Sequence, residues 1–181
     1  GLTIADCDAV CVSKGPGSYT GLRVGVSTAK GLCFGSGKPL IAIGTLDILT
    51  AQAQEASPET GIADPSGTVI ADLTGNPSHI VPMIDARRME VYAATFKRTD
   101  APESSTAAPE ASSEGSPANH SEATPRYTQV TETAPAIIDE TSYTDLLNEG
   151  PVLFIGDGAG KCADVIKHHN ATFIQCWPKA S

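Results

Sequence analysis

The sequence predicts an α/β layered fold, because short apolar runs of strand character alternate along the chain with segments of helical period. The first run, residues 8–14, ends at the breaker Gly15-Pro16-Gly17. The segment after it has helical period, with apolar residues spaced by four, three and four: Leu22, Val26, Ala29 and Cys33. Beyond residue 78, two alternating runs separated by a tight connection are typical of an antiparallel hairpin.

The first part of the chain gives four elements in order. A strand over 8–14 is followed by a helix from Ser18 to about residue 35, which Gly37-Lys38-Pro39 ends. A second strand covers 40–43. Thr45 is expected to be the N-cap of a helix that runs to about residue 54.

The second part begins after a polar connection over 55–78. The hairpin comprises strands 79–85 and 90–97, and Pro82 inside the first strand favours an edge position or a bulge. Residues 99–125 are rich in Ser, Ala, Pro and Glu, and we expect a disordered acidic insert there. Residues 126–130 are expected to pair with the sheet. The last four elements are a helix over 142–148, a strand over 152–155, a helix over 160–169 and a strand over 172–176.

Charge and hydropathy exclude two classes of function. The 181 residues carry a net charge of −9, with a pI of about 4.8, so the surface repels phosphate backbones. Direct gripping of nucleic acid by this chain alone is therefore not expected. No apolar run reaches the roughly 18 residues of a membrane span, and no signal peptide is visible. The five Cys show no metal-site spacing and are expected to be buried free thiols in a reducing compartment.

Gly17, Gly21 and Gly25 recur every four residues at the start of the first helix. Each Gly inside a helix costs roughly 1 kcal/mol relative to Ala, so such a stripe needs an offsetting reason. Close approach of a partner helix is one reason, and close packing inside the same domain is the other. The glycines alone leave both open.

A second Gly-rich turn contains Gly156, Gly158 and Gly160 and lies between a strand and a helix. It fails the Walker spacing, and the turn at residue 15 lacks both the Walker and the dinucleotide patterns. We interpret the turn at 156–160 as a weak nucleotide or anion signal.

Catalytic and metal-binding patterns are sparse. The four His form no H-x-x-x-H pair, so no metal site is predicted. The residues around Ser18 do not form the nucleophile elbow of hydrolases. At the hairpin end we expect an exposed salt bridge among Asp85, Arg87 and Arg88. This interpretation is preferred to a general acid–base set. No catalytic residue is predicted.

Three sequence blocks together resemble one family. Residues 13–32, SKGPGSYTGLRVGVSTAKGL, resemble the signature of the TsaB family, and residues 38–47 and 83–92 resemble its next two blocks. The turn from 155 to 160 is similar to a weaker fourth block. The blocks follow the family order and span most of the chain.

The resemblance implies an actin/Hsp70/sugar-kinase-like fold of two α/β lobes, incomplete in this chain. We expect residues 1–54 to be the remainder of the first lobe, 55–78 a connection, and 79–181 part of the second lobe. The segments that usually open and close the family's fold are expected to be absent before Gly1 and after Ser181, and the insert at 99–125 is not typical of the family.

The resemblance also implies a function. Members support the formation of N6-threonylcarbamoyladenosine at position 37 of tRNAs that read codons starting with A, without doing the chemistry themselves. They act in the cytoplasm with a TsaD-like catalytic paralogue and a TsaE-like ATPase, need no cofactor, and reach tRNA only through the complex. An ATP-binding phosphotransferase or ATPase of the same superfamily is the alternative function.

The partner-binding surface is expected on the first helix, with Gly21 and Gly25 at the closest approach. The predicted contact residues are Gly17, Ser18, Tyr19, Gly21, Leu22, Gly25, Val26 and Ala29. A homodimer of the isolated chain is left open by these patterns.

Overall fold

The computed structural model describes residues 3–55, 62–63, 69–71, 77–99 and 126–179. A short 3-10 helix, Ile4–Asp6, precedes a small α/β layer made of strand β1 (Val10–Ser13), helix α1 (Tyr19–Ser36) and strand β2 (Leu40–Ile43). The two strands are parallel, and Val10 lies opposite Leu40. Helix α1 is the crossover that a parallel pair requires.

The ends of α1 are set by local signals that the sequence shows. The side chain of Ser18 accepts a hydrogen bond from the Gly21 N–H at 3.3 Å, which is an N-cap contact. Gly37 adopts φ 70° after the last turn and donates its N–H to the Cys33 carbonyl at 2.9 Å. Glycine takes this left-handed conformation without steric cost. The helix predicted from Ser18 to about residue 35 is confirmed.

The larger part of the fold is a seven-stranded sheet with helices on its faces. Helix α2 (Thr45–Glu55) follows β2 directly, and the short strands β3 (Ile62–Ala63) and β4 (Val69–Ala71) pair with each other. The remaining elements are β5 (His79–Asp85), β6 (Glu90–Ala93), β7 (Phe96–Thr99), β8 (Arg126–Gln129), β9 (Ala134–Ile137), α3 (Thr144–Glu149), β10 (Val152–Ile155), α4 (Ala159–Cys162) and β11 (Ala171–Ile174).

Strand β5 is the centre of this sheet. The order is β11-β10-β5-β6-β9, and β7 pairs with both β5 and β8. Strands β10 and β11 run parallel to β5 and to each other, whereas β6 and β7 run antiparallel to β5. The predicted hairpin is therefore confirmed as the β5–β6 pair, and the predicted pairing of residues 126–130 with the sheet is confirmed by β8.

Apolar side chains are buried on both faces of the sheet. On one face, α2 contributes Leu46 and Leu49, which are 2 % and 0 % exposed, to a cluster with Ile80 and Ile155. On the other face, Phe154 is fully buried in a cluster with residues of α3 and α4. Helix α2 therefore packs on the seven-stranded sheet, although the sequence assigns it to the first lobe. The division into lobes stays a prediction.

Of the two expectations for Pro82, an edge strand or a bulge, the edge position is wrong. Strand β5 has neighbours on both sides, and Pro82 lies opposite Ile155 of β10. On the other side, the pairing of β5 changes from β7, opposite Ile80, to β6, opposite Met83. Pro82 lies in the gap between these two ladders, where the absence of an N–H removes no ladder bond to β6 or β7.

Two helix predictions also need correction. Thr45 is not an N-cap. It is the first residue of α2, the Ile48 N–H donates to the Gly44 carbonyl, and the Thr45 hydroxyl instead pairs with Ser13 at 2.7 Å. The helix predicted over 160–169 is only the four residues of α4, followed by turns.

Of the 55–78 connection, the structure describes the pair β3–β4 and residues 77–78. The predicted insert at 99–125 falls outside the described residues apart from Thr99, which ends β7.

Candidate functional site

The inner face of α1 packs against β1. Ala29 is 5 % exposed, and Leu22 and Val26 on the same face are half-buried. A Cβ added to Gly25 would lie 4.0 Å from Cγ2 of Val12 in β1. Leu22, Gly25, Val26 and Ala29, which belong to the predicted partner-binding set, therefore face the protein's own strand.

The outer face of α1 is exposed, and the strip along its middle carries no charge, with the exposed Arg23 and Lys30 at its border. It is formed by Thr20, Val24, Ser27, Gly31 and Gly35, all of which are exposed. Val24 is 60 % exposed, and nothing lies within 4 Å of a Cβ added to either glycine. A helix that packs on a core with one face usually carries charged residues on the other. The outer face of α1 departs from this pattern.

Large apolar side chains flank this outer face near the end of α1. Phe34 is 95 % exposed and Leu32 is 44 % exposed. Sequence reasoning placed the interface on the stripe of Gly17, Gly21 and Gly25 and did not select these side chains. The signal that would have found them is the lack of charge along the outer face.

The N-terminal end of α1 carries the rest of the predicted set. Gly17, Ser18, Tyr19 and Gly21 are all exposed. Tyr19 is 68 % exposed, and the guanidinium carbon of Arg23 lies 4.1 Å from its ring centroid, which is a cation–π contact. The predicted set therefore divides between this exposed end and the inner face, and its role in partner binding stays a prediction.

A cavity of about 710 Å³ lies between this end of α1 and the seven-stranded sheet. Ser18, Tyr19 and Thr20 line one side, and the residues that join β5 to β6 line the other. The lining includes both carboxylates and aromatic rings, namely Asp85, Glu90, Asp157, Tyr92 and Trp177. Clefts of this size between two layers are usual places for ligands.

The cluster predicted at the hairpin end is built differently from the expectation. Asp85 forms its ion pair with Lys161, not with Arg87 or Arg88. The same Asp85 carboxylate accepts the Arg87 backbone N–H at 2.9 Å. The hydrogen bond from Lys161 is the main cause that lowers the pKa of Asp85 below its ordinary value.

Asp157 is a further member of this cluster that sequence reasoning missed. Its carboxylate accepts the backbone N–H of Asp85 at 2.9 Å, so it fixes the end of β5. Lys161 and Asp157 lie more than 70 positions from Asp85 in the sequence, so no local pattern connects them. The predicted exposed salt bridge exists, but with a different cation.

The Gly-rich turn at 156–160 is closely packed against the sheet. A Cβ on Gly156 would lie 2.1 Å from the Met83 carbonyl oxygen, and one on Gly158 would lie 3.0 Å from Val91. The Gly156 N–H donates to Ile174 and the Gly158 N–H to Met83. A Cβ on Gly160 would meet the side chain of Gln175 at 2.7 Å. These glycines therefore serve packing, and the N–H groups of Gly156 and Gly158 are not available to an anion.

Histidine and cysteine side chains do not converge. Within the described ranges no three His, Cys, Asp or Glu side chains come close enough to hold a metal ion. His168 and His169 stack on each other at 4.4 Å, and His79 is buried in the sheet. His120 lies outside the described residues.

All five cysteines are free, as predicted, but only Cys162 and Cys176 are buried. Burial raises the pKa of both buried thiols, that of Cys176 to about 11, so they are unreactive at neutral pH. In the part of the chain that the structure describes, no helix has the length and apolar character needed to cross a membrane.

The family model for TsaD, tRNA N6-adenosine threonylcarbamoyltransferase, matches residues 1–166. The chain belongs to the TsaD family. Relatives in this family carry two names. The TsaB of Escherichia coli K12, a tRNA threonylcarbamoyladenosine biosynthesis protein, is 32 % identical over 100 residues, which are 55 % of this chain and 36 % of that protein. A tRNA N6-adenosine threonylcarbamoyltransferase of Solidesulfovibrio magneticus is 36 % identical over 96 residues, 53 % of this chain and 24 % of that protein.

The fold is shared with a solved structure of the same group. A Pseudomonas aeruginosa protein described as similar to peptidase YeaZ superposes with a TM-score of 0.60 at 17 % identity, over 98 % of this chain and 63 % of that one. The α/β fold of the actin/Hsp70/sugar-kinase type is therefore confirmed, and so is the resemblance to TsaB. The matched part of the chain spans about a third of the length of its TsaB relatives.

Proposed function

We propose that this chain belongs to a non-catalytic partner subunit of the system that forms N6-threonylcarbamoyladenosine at position 37 of tRNAs reading codons that start with A. In this proposal it works in the cytoplasm, binds a TsaD-like catalytic paralogue, and cooperates with a TsaE-like ATPase. The proposal is supported by relatives that carry the TsaB name and by one observation on the structure, the uncharged outer face of α1.

Helix α1 is 18 residues long, and its inner face packs on a sheet that has two strands among the described residues. Its outer face exposes Val24 and the open backbone at Gly31 and Gly35. Small residues allow a second helix to approach closely, and uncharged surface carries little desolvation penalty when a partner covers it. The outer face therefore has the properties of an interface core, and we assign it to the catalytic paralogue.

The acidity of the chain determines how it relates to tRNA. With a net charge of −9, the protein repels the phosphate backbone at long range. In this proposal the partner supplies the contacts with tRNA, and the present chain contributes to assembly.

The test is reconstitution from purified components. Calorimetry should show binding of the protein to the paralogue, and tRNA modification should require both proteins and the ATPase. Replacement of Val24 by Asp places a charge at the centre of the outer face and should weaken binding at least tenfold, because the charge loses its hydration in the interface.

The chain offers a matched control for this substitution. Val130 follows β8 and is 54 % exposed, close to the value for Val24. Val130→Asp adds the same charge outside α1 and should leave both binding and modification unchanged. Full modification of tRNA without the protein would contradict the proposed function.

An ATP-binding phosphotransferase or ATPase remains the second candidate. The observation that favours it is the 710 Å³ cavity, which includes the Asp85 and Asp157 carboxylates in its lining. The packing of the turn at 156–160 argues against it, because the N–H groups of Gly156 and Gly158 already donate inside the chain. Titration with ATP decides between the two, since micromolar affinity with turnover would support the enzyme.

A further inference from the structure

The turn between β5 and β6 has a backbone that does not suit its residues. Arg87 and Arg88 both have positive φ, 73° and 49°. The left-handed region is unfavourable for residues with a Cβ and is normally occupied by Gly, Asn or Asp. Two consecutive arginines in this conformation persist only because surrounding contacts hold them there.

Lys161 supplies three of these contacts. Its ammonium group binds the Asp85 carboxylate, and it also donates to the carbonyls of Arg88 at 2.8 Å and Glu90 at 2.7 Å. Its side chain is only 23 % exposed, so the ammonium group is largely shielded from solvent where it holds the turn. The Asp85 carboxylate holds the Arg87 N–H in turn.

This arrangement leaves both guanidinium groups exposed. Asp85 forms its ion pair with Lys161, and the charge of Arg87 is a smaller cause of the lowered pKa of Asp85. Among the residues that the structure describes, neither Arg87 nor Arg88 donates a side-chain hydrogen bond or forms an ion pair. A turn kept only for chain reversal would be satisfied by Asn-Gly at lower conformational cost.

We propose that Arg87 and Arg88 form a paired guanidinium site that binds a carboxylate on the catalytic paralogue. Arg87 lines the same cavity as Ser18, Tyr19 and Thr20, so a partner that covers the N-terminal end of α1 also reaches this turn. The planar guanidinium matches a carboxylate with two parallel hydrogen bonds. This inference rests on the proposed function and adds an electrostatic contact between the two subunits.

The negative charge around the two arginines favours a protein carboxylate as their ligand over an RNA phosphate. The chain carries −9 overall, and three carboxylates, Asp85, Glu90 and Asp157, line the cavity beside Arg87. An extended polyanion would bring many negative charges near this acidic surface, whereas a single carboxylate side chain brings one. Such a contact fixes the orientation of a partner more than it adds affinity.

The test is a variant that improves the turn and removes the charges. Arg87→Asn with Arg88→Gly places in the left-handed positions the residues that favour them. The melting temperature of the protein alone should stay the same or rise, while the calorimetric Kd for the paralogue rises at least tenfold. The control is Lys97→Gln with Arg126→Gln, which removes two positive charges from the exposed β7–β8 ladder and should change the Kd less than twofold.

Two outcomes of the binding measurements overturn the inference. If the Kd for the paralogue does not change, the arginines are outside the interface. If the Kd is unchanged but the assembled complex binds tRNA more weakly, the arginines contact RNA. If the Asn-Gly protein does not fold, Arg87→Gln with Arg88→Gln gives the same test with side chains of similar length. Absence of binding by the wild-type protein would refute the proposed function itself, so the two failures are distinguishable.

Discussion

Replacement of Gly31 by Leu should stabilise the isolated protein and weaken its binding to the paralogue. Gly31 lies inside α1, and nothing is within 4 Å of a Cβ added there. A Gly in a helix interior costs about 1 kcal/mol relative to Ala, and Leu has nearly the same helix propensity as Ala. The substitution therefore gains about 1 kcal/mol without a steric conflict inside the chain, which raises the melting temperature by roughly 2–4 °C for a protein of this size.

The same side chain occupies the space that a partner needs. Overpacking at a close helix contact costs about 1–3 kcal/mol, so the Kd should rise roughly 5- to 150-fold. Calorimetry against the paralogue and a thermal melt of the variant alone measure the two effects. Gly25→Leu is the comparison, because a Cβ there already touches Val12 and a longer side chain would push against β1 and lower the melting temperature. Unchanged affinity in the stabilised Gly31→Leu protein would refute the assignment of the outer face.

Two further predictions concern the seven-stranded sheet. Phe154→Ala should cost about 3–5 kcal/mol of unfolding free energy in urea, because Phe154 is fully buried and stacks on Phe173 at 4.8 Å; Phe34→Ala, at a ring that is 95 % exposed, should change it by less than about 0.5 kcal/mol, and equal losses would contradict the core described above. Burial is the main cause that lowers the pKa of His79 from its ordinary 6.5. The contribution of neutral His79 to the free energy of unfolding is therefore fully present above pH 6.5, and it is lost as the pH falls through the lower pKa of the folded state. Urea titrations between pH 7 and pH 5 should show this loss in the wild type and in His169→Gln but not in His79→Gln, and an unchanged pH dependence in His79→Gln would show that other groups cause it.

Helix α1 could be predicted from the sequence because its signals are local. The breaker before it, the Ser18 cap and Gly37 after it all lie within a few residues of the ends they determine. The α/β class followed in the same way from the alternation of periods. These features depend on neighbours along the chain, which a sequence displays directly.

The errors arose where distant segments determine the structure. Pro82 favours an edge strand by its chemistry, yet β5 is central because two different partners leave it a gap at that residue. The helix after Gly160 stops at Cys162, although the helical pattern continues to residue 169. A periodic pattern indicates which residues can share a helix face. The number of helical turns that form depends on how much of that face packs against the sheet.

The candidate site shows the same limit. The sequence pointed to helix α1 as the partner-binding surface, which stays a prediction, and it pointed to an exposed salt bridge at the hairpin turn. It did not connect Lys161 with Asp85, because 76 positions separate them. It also selected the stripe of Gly17, Gly21 and Gly25, because a stripe of Gly is conspicuous, although only Gly25 faces β1. The lack of charge along the outer face is noticed only when both faces are compared.

The central position of β5 determines how far apart in sequence the strands of the main sheet are. Val152 pairs with His79, more than 70 positions earlier, whereas Val10 and Leu40 of the small layer are only about 30 positions apart. Closing the longer loop costs about 0.8 kcal/mol more in chain entropy, and the β10 strand gains its burial only after both neighbours are present. Non-local pairings of this kind slow folding. The β1–α1–β2 layer, which carries the outer face, can therefore form before the sheet that supports the arginine turn, so the two proposed contact regions would form at different times during folding.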